Sequence, residues 1–253
     1  MKAKLIIPKQ VVTVNKYNDL LVNYALEIFN GVITKIEPVQ NFVLSNYEVM
    51  NYPNCVLVPG FVQTHIHLCQ TLFRGFADDL ELLDWLQKRI FPFESSHSKN
   101  SLRVSARLGI NDLLSGGTTT LLDMGTLRHQ EVIFEELTNS GMRAFSGNCM
   151  IDQNKLFPAF CETTEWNLKA SYDCAKSFHN TNNGKIKYGF APRFVLSCTE
   201  KLLKETKEMM KDFPCSVMHT HSSENKKEVE TVRAMTGKEN VEYFDSIGLL
   251  DDH

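Results

Sequence analysis

The sequence lacks several features that would point to a particular environment or partner. Lysine and arginine (27) nearly balance aspartate and glutamate (30), for a formal net charge of −3. Without a cationic field the chain is a poor ligand for a polyanion, so nucleic acid is not expected as a partner. No stretch approaches the roughly 18 uninterrupted apolar residues of a membrane span. The short apolar run near the start is broken by Pro8, Lys9 and Gln10, so neither secretion nor a membrane is expected.

Paired cysteines are missing as well. The seven cysteines are odd in number and scattered, and no C-x-x-C pair occurs. This argues against a disulfide framework and a cysteine zinc site, and predicts reduced thiols in the cytoplasm. The sequence also has no repeats and no low-complexity tracts. With 43% hydrophobic and 23% charged residues, it has the composition of a folded domain with a sizeable core.

What the sequence does contain is a change of pattern near Cys55. Residues 1–55 consist of short β segments separated by turn signals such as Asn30-Gly31, which predicts a small β domain. Over residues 56–253, apolar β runs alternate with helix-length amphipathic stretches. This alternation predicts an α/β fold with a parallel sheet and helices outside it, as in the first five units of a (β/α)8 TIM-type barrel.

Five barrel strands are predicted. The candidates are CVLVPGFVQTHIH, TTTLLDM (118–124), MRAFSGNCM (142–150), IKYGFAPRF (186–194) and CSVMHTH (215–221). Gly116 and Gly141 stand where helices should end, and Thr199 where one should begin. A whole barrel needs roughly 250 residues, and only 253 − 55 = 198 follow the β domain. We therefore expect a barrel truncated after about five strands, with its first and fifth strands as edges.

Two histidine pairs stand at predicted strand ends. His65 and His67 close the first barrel strand, where residues i and i+2 point to the same side and would face the barrel interior. His219 and His221 end the fifth candidate strand, and Glu224 follows. Two such pairs are hard to attribute to packing, because a buried histidine needs partners for both ring nitrogens. A metal ion supplies one partner, and only one of the second pair need bind it.

The residues around these histidines resemble a known family. The segment PGFVQTHIHLCQTLFRGFADDLELLDWLQKRIFPFE is similar to the first-strand signature of the amidohydrolase superfamily, specifically its aminohydrolase branch. The similarity continues through SGGTTTLLDMG, GMRAF, APRFVLSCTE and HTHSSENKKEVE, so it covers nearly the entire chain. That branch includes deaminases of S-adenosylhomocysteine, methylthioadenosine and 5'-deoxyadenosine, guanine deaminase and chlorotriazine hydrolases. The resemblance implies a small β-sandwich before the barrel and one divalent metal ion, zinc ahead of iron.

The resemblance also assigns roles to individual residues. The positions that match metal ligands are His65, His67 and His221. Glu224 matches the glutamate that moves protons, and His219 would hydrogen-bond beside the metal. A divalent ion lowers the pKa of bound water toward about 7, which provides hydroxide to attack an electron-poor ring carbon. Glu224 would protonate the adjacent ring nitrogen before ammonia departs.

Three further positions match substrate-binding residues of the branch, and they favour different substrates. Gln70 stands where resembling enzymes read the oxo edge of guanine-type rings. Glu94 matches a carboxylate that accepts ribose hydroxyls in adenosine-derivative deaminases. Arg193 stands where guanine deaminase has an arginine and the methylthioadenosine enzymes usually have histidine. Each position has a structural alternative: Gln70 could cap the turn, Glu94 could pair with Arg89, and Arg193 could anchor a loop.

The sequence departs from the family at two positions. The family site needs a histidine after the sixth strand and a metal-binding aspartate after the eighth, and the sequence has a counterpart for neither. Asp251, Asp252 and His253 precede the expected sixth strand and receive no role. Asp123, at the end of the second strand, is expected to form a turn. The chain is therefore expected to be an N-terminal fragment that is inactive or weak alone.

Taken together, these patterns predict a metal-dependent aminohydrolase, a cyclic amidine deaminase acting on an aminopurine nucleoside or base. Glu94 and the FADDLELLDWL run favour 5'-deoxyadenosine or S-adenosylhomocysteine, Gln70 and Arg193 favour guanine, and a chlorotriazine is third. The competing interpretation is a non-catalytic remnant, or a subunit whose barrel another chain completes. The expected partner is a small heterocyclic substrate. The full-length protein could in addition form a homo-oligomer.

Overall fold

The computed structural model describes residues 2–251 and divides the chain into two compact units. The first unit ends at Gly60 and the second begins at Phe61. No helix among the described residues is both long and apolar enough to cross a membrane. Asp252 and His253, to which the sequence assigned no role, lie outside the described residues.

The first unit is built on a mixed β-sheet. Its strands are β1 (Lys4–Val12), β2 (Leu20–Val22), β3 (Tyr24–Phe29), β4 (Val32–Pro38) and β5 (Glu48–Leu57). Their order is β2-β1-β3-β4, and β5 pairs with β1 in parallel. Asn30 and Gly31 both have positive φ and form the tight turn between β3 and β4. Residues 2–60 thus form one five-stranded sheet, and the second sheet of a sandwich is not present among them.

The second unit contains a parallel sheet. Its strands are β6 (Phe61–Ile66), β7 (Thr118–Asp123), β8 (Arg143–Ser146), β9 (Cys149–Met150), β10 (Ile186–Pro192) and β11 (Val217–Met218). The strand order is β6-β7-β8-β10-β11, with β9 beside β10, and every pair is parallel. The sheet therefore has the predicted order, and β6 and β11 are its edges within the described residues.

Two of the predicted strands are divided. The run CVLVPGFVQTHIH is interrupted at Pro59-Gly60, so its first residues belong to β5 and only those from Phe61 enter the barrel sheet. The segment 142–150 is interrupted after Ser146. A Cβ on Gly147 would lie 2.0 Å from the carbonyl oxygen of Gly189, so only glycine fits this close approach.

Helices connect successive strands. They are α1 (Leu82–Trp85), a π-helical turn (Leu86–Ile90), α2 (Phe91–Ser95), α3 (Lys99–Ser115), α4 (Gln130–Ser140), α5 (Thr164–Phe178), α6 (Thr181–Gly184), α7 (Glu200–Met210), α8 (Lys226–Thr236) and α9 (Asn240–Ser246). As predicted, α3 ends at Gly116, α4 ends at Gly141 in the left-handed conformation, and Thr199 caps α7. Helix α8 was not among the predicted elements.

The core of the second unit lies between the sheet and its helices. Phe134 of α4 stacks on Phe178 of α5 with ring centroids 4.6 Å apart, and on Tyr188 of β10 at 5.9 Å. A smaller apolar cluster forms around α1, α2 and the segments after β9 and β10, and includes Phe91 and Phe194. These two clusters fix the strand ends from which the candidate site is built.

Candidate metal centre

The C-terminal ends of the two edge strands bring four histidines together. His65 lies in β6 and His67 directly after it, while His219 and His221 follow β11. The His219 backbone N–H donates to the carbonyl of Phe190 at 3.0 Å, so the chain after β11 still runs beside β10. Because the His221 ring at one edge lies against the His65 and His67 rings at the other, the sheet curls so that side chains from its two edges converge, as in the interior of a barrel.

The rings of His65, His67 and His221 surround one point. Their centroids are 5.0 Å (65 to 67), 4.9 Å (65 to 221) and 5.2 Å (67 to 221) apart, and one nitrogen of each lies within 4.8 Å of the others. The Nε2 atoms of His67 and His221 are 3.1 Å apart. Zinc–nitrogen bonds of about 2.0–2.1 Å would place tetrahedral ligand atoms roughly 3.3 Å apart. The spacing therefore suits two ligands of one ion.

Hydrogen bonding decides which nitrogen of His221 faces this point. Its Nδ1 lies 2.8 Å from the carbonyl oxygen of Arg193, so Nδ1 carries the proton and Nε2 keeps its lone pair. In His67, Nδ1 is buried and has no hydrogen-bond partner among the described residues. Without an ion, the two Nε2 atoms can only share one proton. A divalent cation would bind both, so this donor set fits an ion of the zinc type.

The surroundings keep these imidazoles neutral, which is the form that binds metal. Burial lowers the pKa of His67 well below its ordinary value and that of His221 to about 3, and the positive charge of Arg193 lowers both further. Burial and Arg193 also lower the pKa of His65, the most exposed of the three. At neutral pH a cation entering this cluster would therefore meet neutral imidazoles and would not have to displace protons from imidazolium.

His219 lies beside this cluster. Its ring centroid is 6.5 Å from that of His65, and burial lowers its pKa to about 4. Both of its ring nitrogens are buried and have no hydrogen-bond partner among the described residues. The structure thus places His219 next to the candidate metal position but shows none of the expected hydrogen bonds from its ring.

Glu224 reaches the same cavity from the loop after β11. Ser223, with φ of 55°, turns the chain, and the Glu224 backbone N–H donates to the carboxylate of Glu228 at 3.2 Å. Burial raises the pKa of the Glu224 carboxyl, Arg193 opposes this shift and Glu228 adds to it. The cavity has a volume of about 100 Å³ and is lined by His65, His67, Gln70, Leu82, Trp85, Leu86, Arg193, Phe194, His221 and Glu224.

The three predicted substrate-binding residues contact one another. The Arg193 guanidinium donates to both oxygens of Glu94, at 2.9 and 3.3 Å, and the Gln70 amide donates to one of them at 2.7 Å. Glu94 and Arg193 are each only 3% exposed, and Arg193 lies 5.0 Å from the ring centroid of Phe91. Glu94 therefore pairs with Arg193 and not with Arg89, whose guanidinium donates to a backbone carbonyl.

A second group of potential ligands consists of His67, Cys69 and Glu94. Both oxygens of Glu94 are already engaged, and burial raises the pKa of Cys69 well above its ordinary value, which keeps the thiol protonated. Because a metal ligand must be an available anion or lone pair, this group is a poor metal site.

Asp123 has a positioning role that the sequence did not reveal. Its buried carboxyl accepts hydrogen bonds from the Leu68 N–H at 2.8 Å and from the Ser146 hydroxyl at 2.6 Å. Burial raises its pKa to about 6. Asp123 thus anchors the residue that follows His67 and is not one of the clustered ligands. Its position at a strand end was visible in the sequence, but its partners were not.

Comparison with known proteins identifies the family. A model of the amidohydrolase family matches residues 56–253. The chain belongs to the amidohydrolase family. It is similar to a 5'-deoxyadenosine deaminase of Methanococcus aeolicus, with 32% identity over 239 residues that cover 94% of this chain and 53% of the relative. This amidohydrolase chain thus spans about half the length of the curated relatives it matches.

Solved structures agree with the family assignment. An E. coli guanine deaminase matches with a TM-score of 0.86 and 25% identity, over 98% of this chain and 60% of that one. An adenosine deaminase from Xanthomonas campestris with bound zinc matches with a TM-score of 0.88 and 25% identity, over 98% and 56%. The resemblance and the α/β barrel-type fold predicted for this amidohydrolase from its sequence are confirmed.

Proposed function

We propose that this chain is part of a metal-dependent aminohydrolase that deaminates an aminopurine nucleoside or base. The first candidate substrate is 5'-deoxyadenosine or S-adenosylhomocysteine. The main support is the arrangement of His65, His67 and His221, three neutral imidazoles from two strand ends with two Nε2 atoms 3.1 Å apart. The names of the similar proteins support the reaction and its substrate class. The free state of all seven cysteines supports a cytoplasmic location.

The mechanism assigns a separate task to each group of residues. His65, His67 and His221 would hold the divalent ion, zinc ahead of iron. When bound, such an ion supplies Lewis-acid activation of water near neutral pH. Glu224 lines the same cavity with a raised pKa, and would deliver a proton to the ring nitrogen beside the carbon under attack. Trp85 lines the same cavity and would offer a flat wall to a heterocycle.

Ammonia release tests this proposal. The complete gene product, loaded with zinc, is assayed with 5'-deoxyadenosine, S-adenosylhomocysteine, guanine and 8-oxoguanine. We expect release from the adenosine derivatives, and we expect Glu224→Gln to lower kcat by about 10² to 10⁴-fold at unchanged zinc content. His67→Ala should lose the zinc itself. If the zinc-loaded enzyme releases ammonia from none of these compounds, the purine assignment is wrong.

Guanine deamination is the second candidate, favoured by one observation. Glu94 was expected to accept ribose hydroxyls, but both of its oxygens are engaged by Arg193 and Gln70. A nucleoside therefore finds no free carboxylate at this position, whereas a free base needs none. In the same assay, release from guanine without release from 5'-deoxyadenosine would select this candidate.

A further inference from the structure

We propose that Glu94 is a positioning residue of the metal centre and not a substrate ligand. It neutralises the guanidinium of Arg193 and holds in place the Arg193 carbonyl that orients His221. This inference rests on the proposed metal site and goes beyond it, because it assigns to Glu94 an effect on metal affinity.

The argument begins at one backbone carbonyl. The Arg193 oxygen accepts the His221 backbone N–H at 2.9 Å, the His221 Nδ1–H at 2.8 Å and the Thr220 hydroxyl at 3.1 Å. Both the position and the tautomer of the imidazole therefore depend on where this oxygen lies. A small displacement of Arg193 would turn the His221 Nε2 away from His67.

The Arg193 side chain adds to the main-chain hydrogen bonds that hold this residue in place. Its residue follows the last position of β10, Pro192, and its own N–H makes one hydrogen bond, to the Met150 carbonyl at 3.2 Å. The buried guanidinium adds two hydrogen bonds to Glu94, a contact with the face of Phe91 and a 3.6 Å contact with the Cys149 thiol. Glu94 is thus the only anion among these contacts.

Charge gives Glu94 a second effect. Arg193 lines the same cavity as His65, His67 and His221, so its positive charge lies close to all three candidate ligands. A divalent cation held by these ligands would be repelled by this positive charge, because screening is weak in a buried site. Glu94 cancels this charge at a distance of 2.9 Å.

Gln70 extends the arrangement to the other edge strand. Its amide donates to Glu94, and its backbone N–H donates to the carbonyl of His67 at 3.0 Å. One carboxylate is therefore linked to the segment of His67 through Gln70 and to His221 through Arg193. The two halves of the candidate ligand set converge on Glu94.

Zinc affinity of the purified chain, measured by competition with a chromophoric chelator, tests the inference. We expect Glu94→Gln to weaken zinc binding by about 10- to 100-fold, the usual effect of removing a residue that orients metal ligands. The double variant Glu94→Gln/Arg193→Met carries no unpaired buried charge, so it should recover part of this loss. If Glu94→Gln does not fold, Glu94→Asp replaces it, with a smaller expected loss because the charge is kept.

The matched control is Glu136, another buried glutamate that pairs with arginine. It is 5% exposed and is bound by Arg103 and Arg107 between α3 and α4. Glu136→Gln should lower thermal stability without changing zinc affinity, because it touches none of the candidate ligands. This control separates a loss of buried pairing in general from an effect on the metal centre.

The outcomes distinguish this inference from the proposed function. If the unmodified chain binds no zinc, the metal site itself is wrong. If the chain binds zinc and the Glu94 variants bind it equally well, only the role of Glu94 is overturned. In the complete gene product, a raised KM of Glu94→Gln for 5'-deoxyadenosine at unchanged zinc affinity would likewise contradict the positioning role and make Glu94 a substrate-binding residue. If Glu94→Gln binds no zinc at all and the double variant does not restore binding, Glu94 would be a metal ligand. This outcome would also contradict the inference.

Discussion

Single buried residues determine where the imidazoles stand. Asp123 holds the N–H of Leu68, next to His67, and the Arg193 carbonyl holds both nitrogen donors of His221. Each anchor reaches its partner across at least 28 residues of sequence. Local patterns report which side a residue faces, but not which distant group it will meet. For this reason Asp123 resembled an ordinary turn residue in the sequence.

The raised pKa of Asp123 gives a stability prediction with a defined sign. Burial raises its pKa from an ordinary value of 3.8 to about 6, so the folded state holds this proton more tightly. The free energy of unfolding should therefore fall by up to about 3 kcal/mol as the pH rises from about 4 to about 6. Above that range Asp123 should cause no further change. Asp123→Asn removes the titration. Denaturant unfolding of both proteins across this range should show the difference, and a pH-independent gap between them would contradict it.

At the scale of the elements, strands and helices with a regular apolar periodicity could be predicted from the sequence, whereas a mostly polar helix could not. Strands β7 and β10 and helices α3, α5 and α7 follow the apolar periodicity and stop or start near the expected signals. Helix α8 was missed because it is mostly polar and buries only Glu228 and Val232. The strand before the histidines was predicted as one segment although Pro59-Gly60 is a turn signal, and the partner sheet of the residues before it is set by distant pairing with β1.

Helix capping offers a test at this scale. The Thr199 hydroxyl accepts the Leu202 N–H at the start of α7 and also donates to Asp152 at 2.5 Å. Thr163 caps α5 through the Trp166 N–H. We expect Thr163→Ala to cost about 1 kcal/mol and Thr199→Ala about 2 kcal/mol, because the second loses an additional hydrogen bond. Urea unfolding measures both values. Equal costs would show that the bond to Asp152 adds nothing.

At the scale of the whole molecule, the order of the barrel strands could be predicted and the side-chain network of the site could not. The i, i+2 spacing of histidines predicted that the two pairs converge, the family resemblance selected His221 over His219, and the rings of His65, His67 and His221 do lie together. The mutual pairing of Glu94 with Arg193 joins residues 99 positions apart. Such a pair depends on the curl of the sheet, which no local pattern encodes.

Metal binding should also stabilise the molecule, because the proposed ligands come from the two edge strands. A ligand that binds only the folded state at 100 times its Kd adds about 2.7 kcal/mol. Zinc should therefore raise the thermal unfolding midpoint of the chain, and His67→Ala should abolish the increase. His179→Ala is the control, because His179 contacts Tyr188 and Pro214 and none of the clustered rings. An increase that persists in His67→Ala would mean that zinc binds elsewhere.

The π-helical turn at Leu86–Ile90 has a consequence for chain length. A wider turn accommodates one more residue than an α-helix would, and each residue rotates the following side chains by about 100°. Deleting one residue there would swing Glu94 away from Arg193 even if every other amino acid were kept. The outward-facing positions Lys88 and Arg89 can change identity freely. Substitutions at these exposed positions should therefore be tolerated, whereas removal of one residue from the turn would displace the buried carboxylate of Glu94.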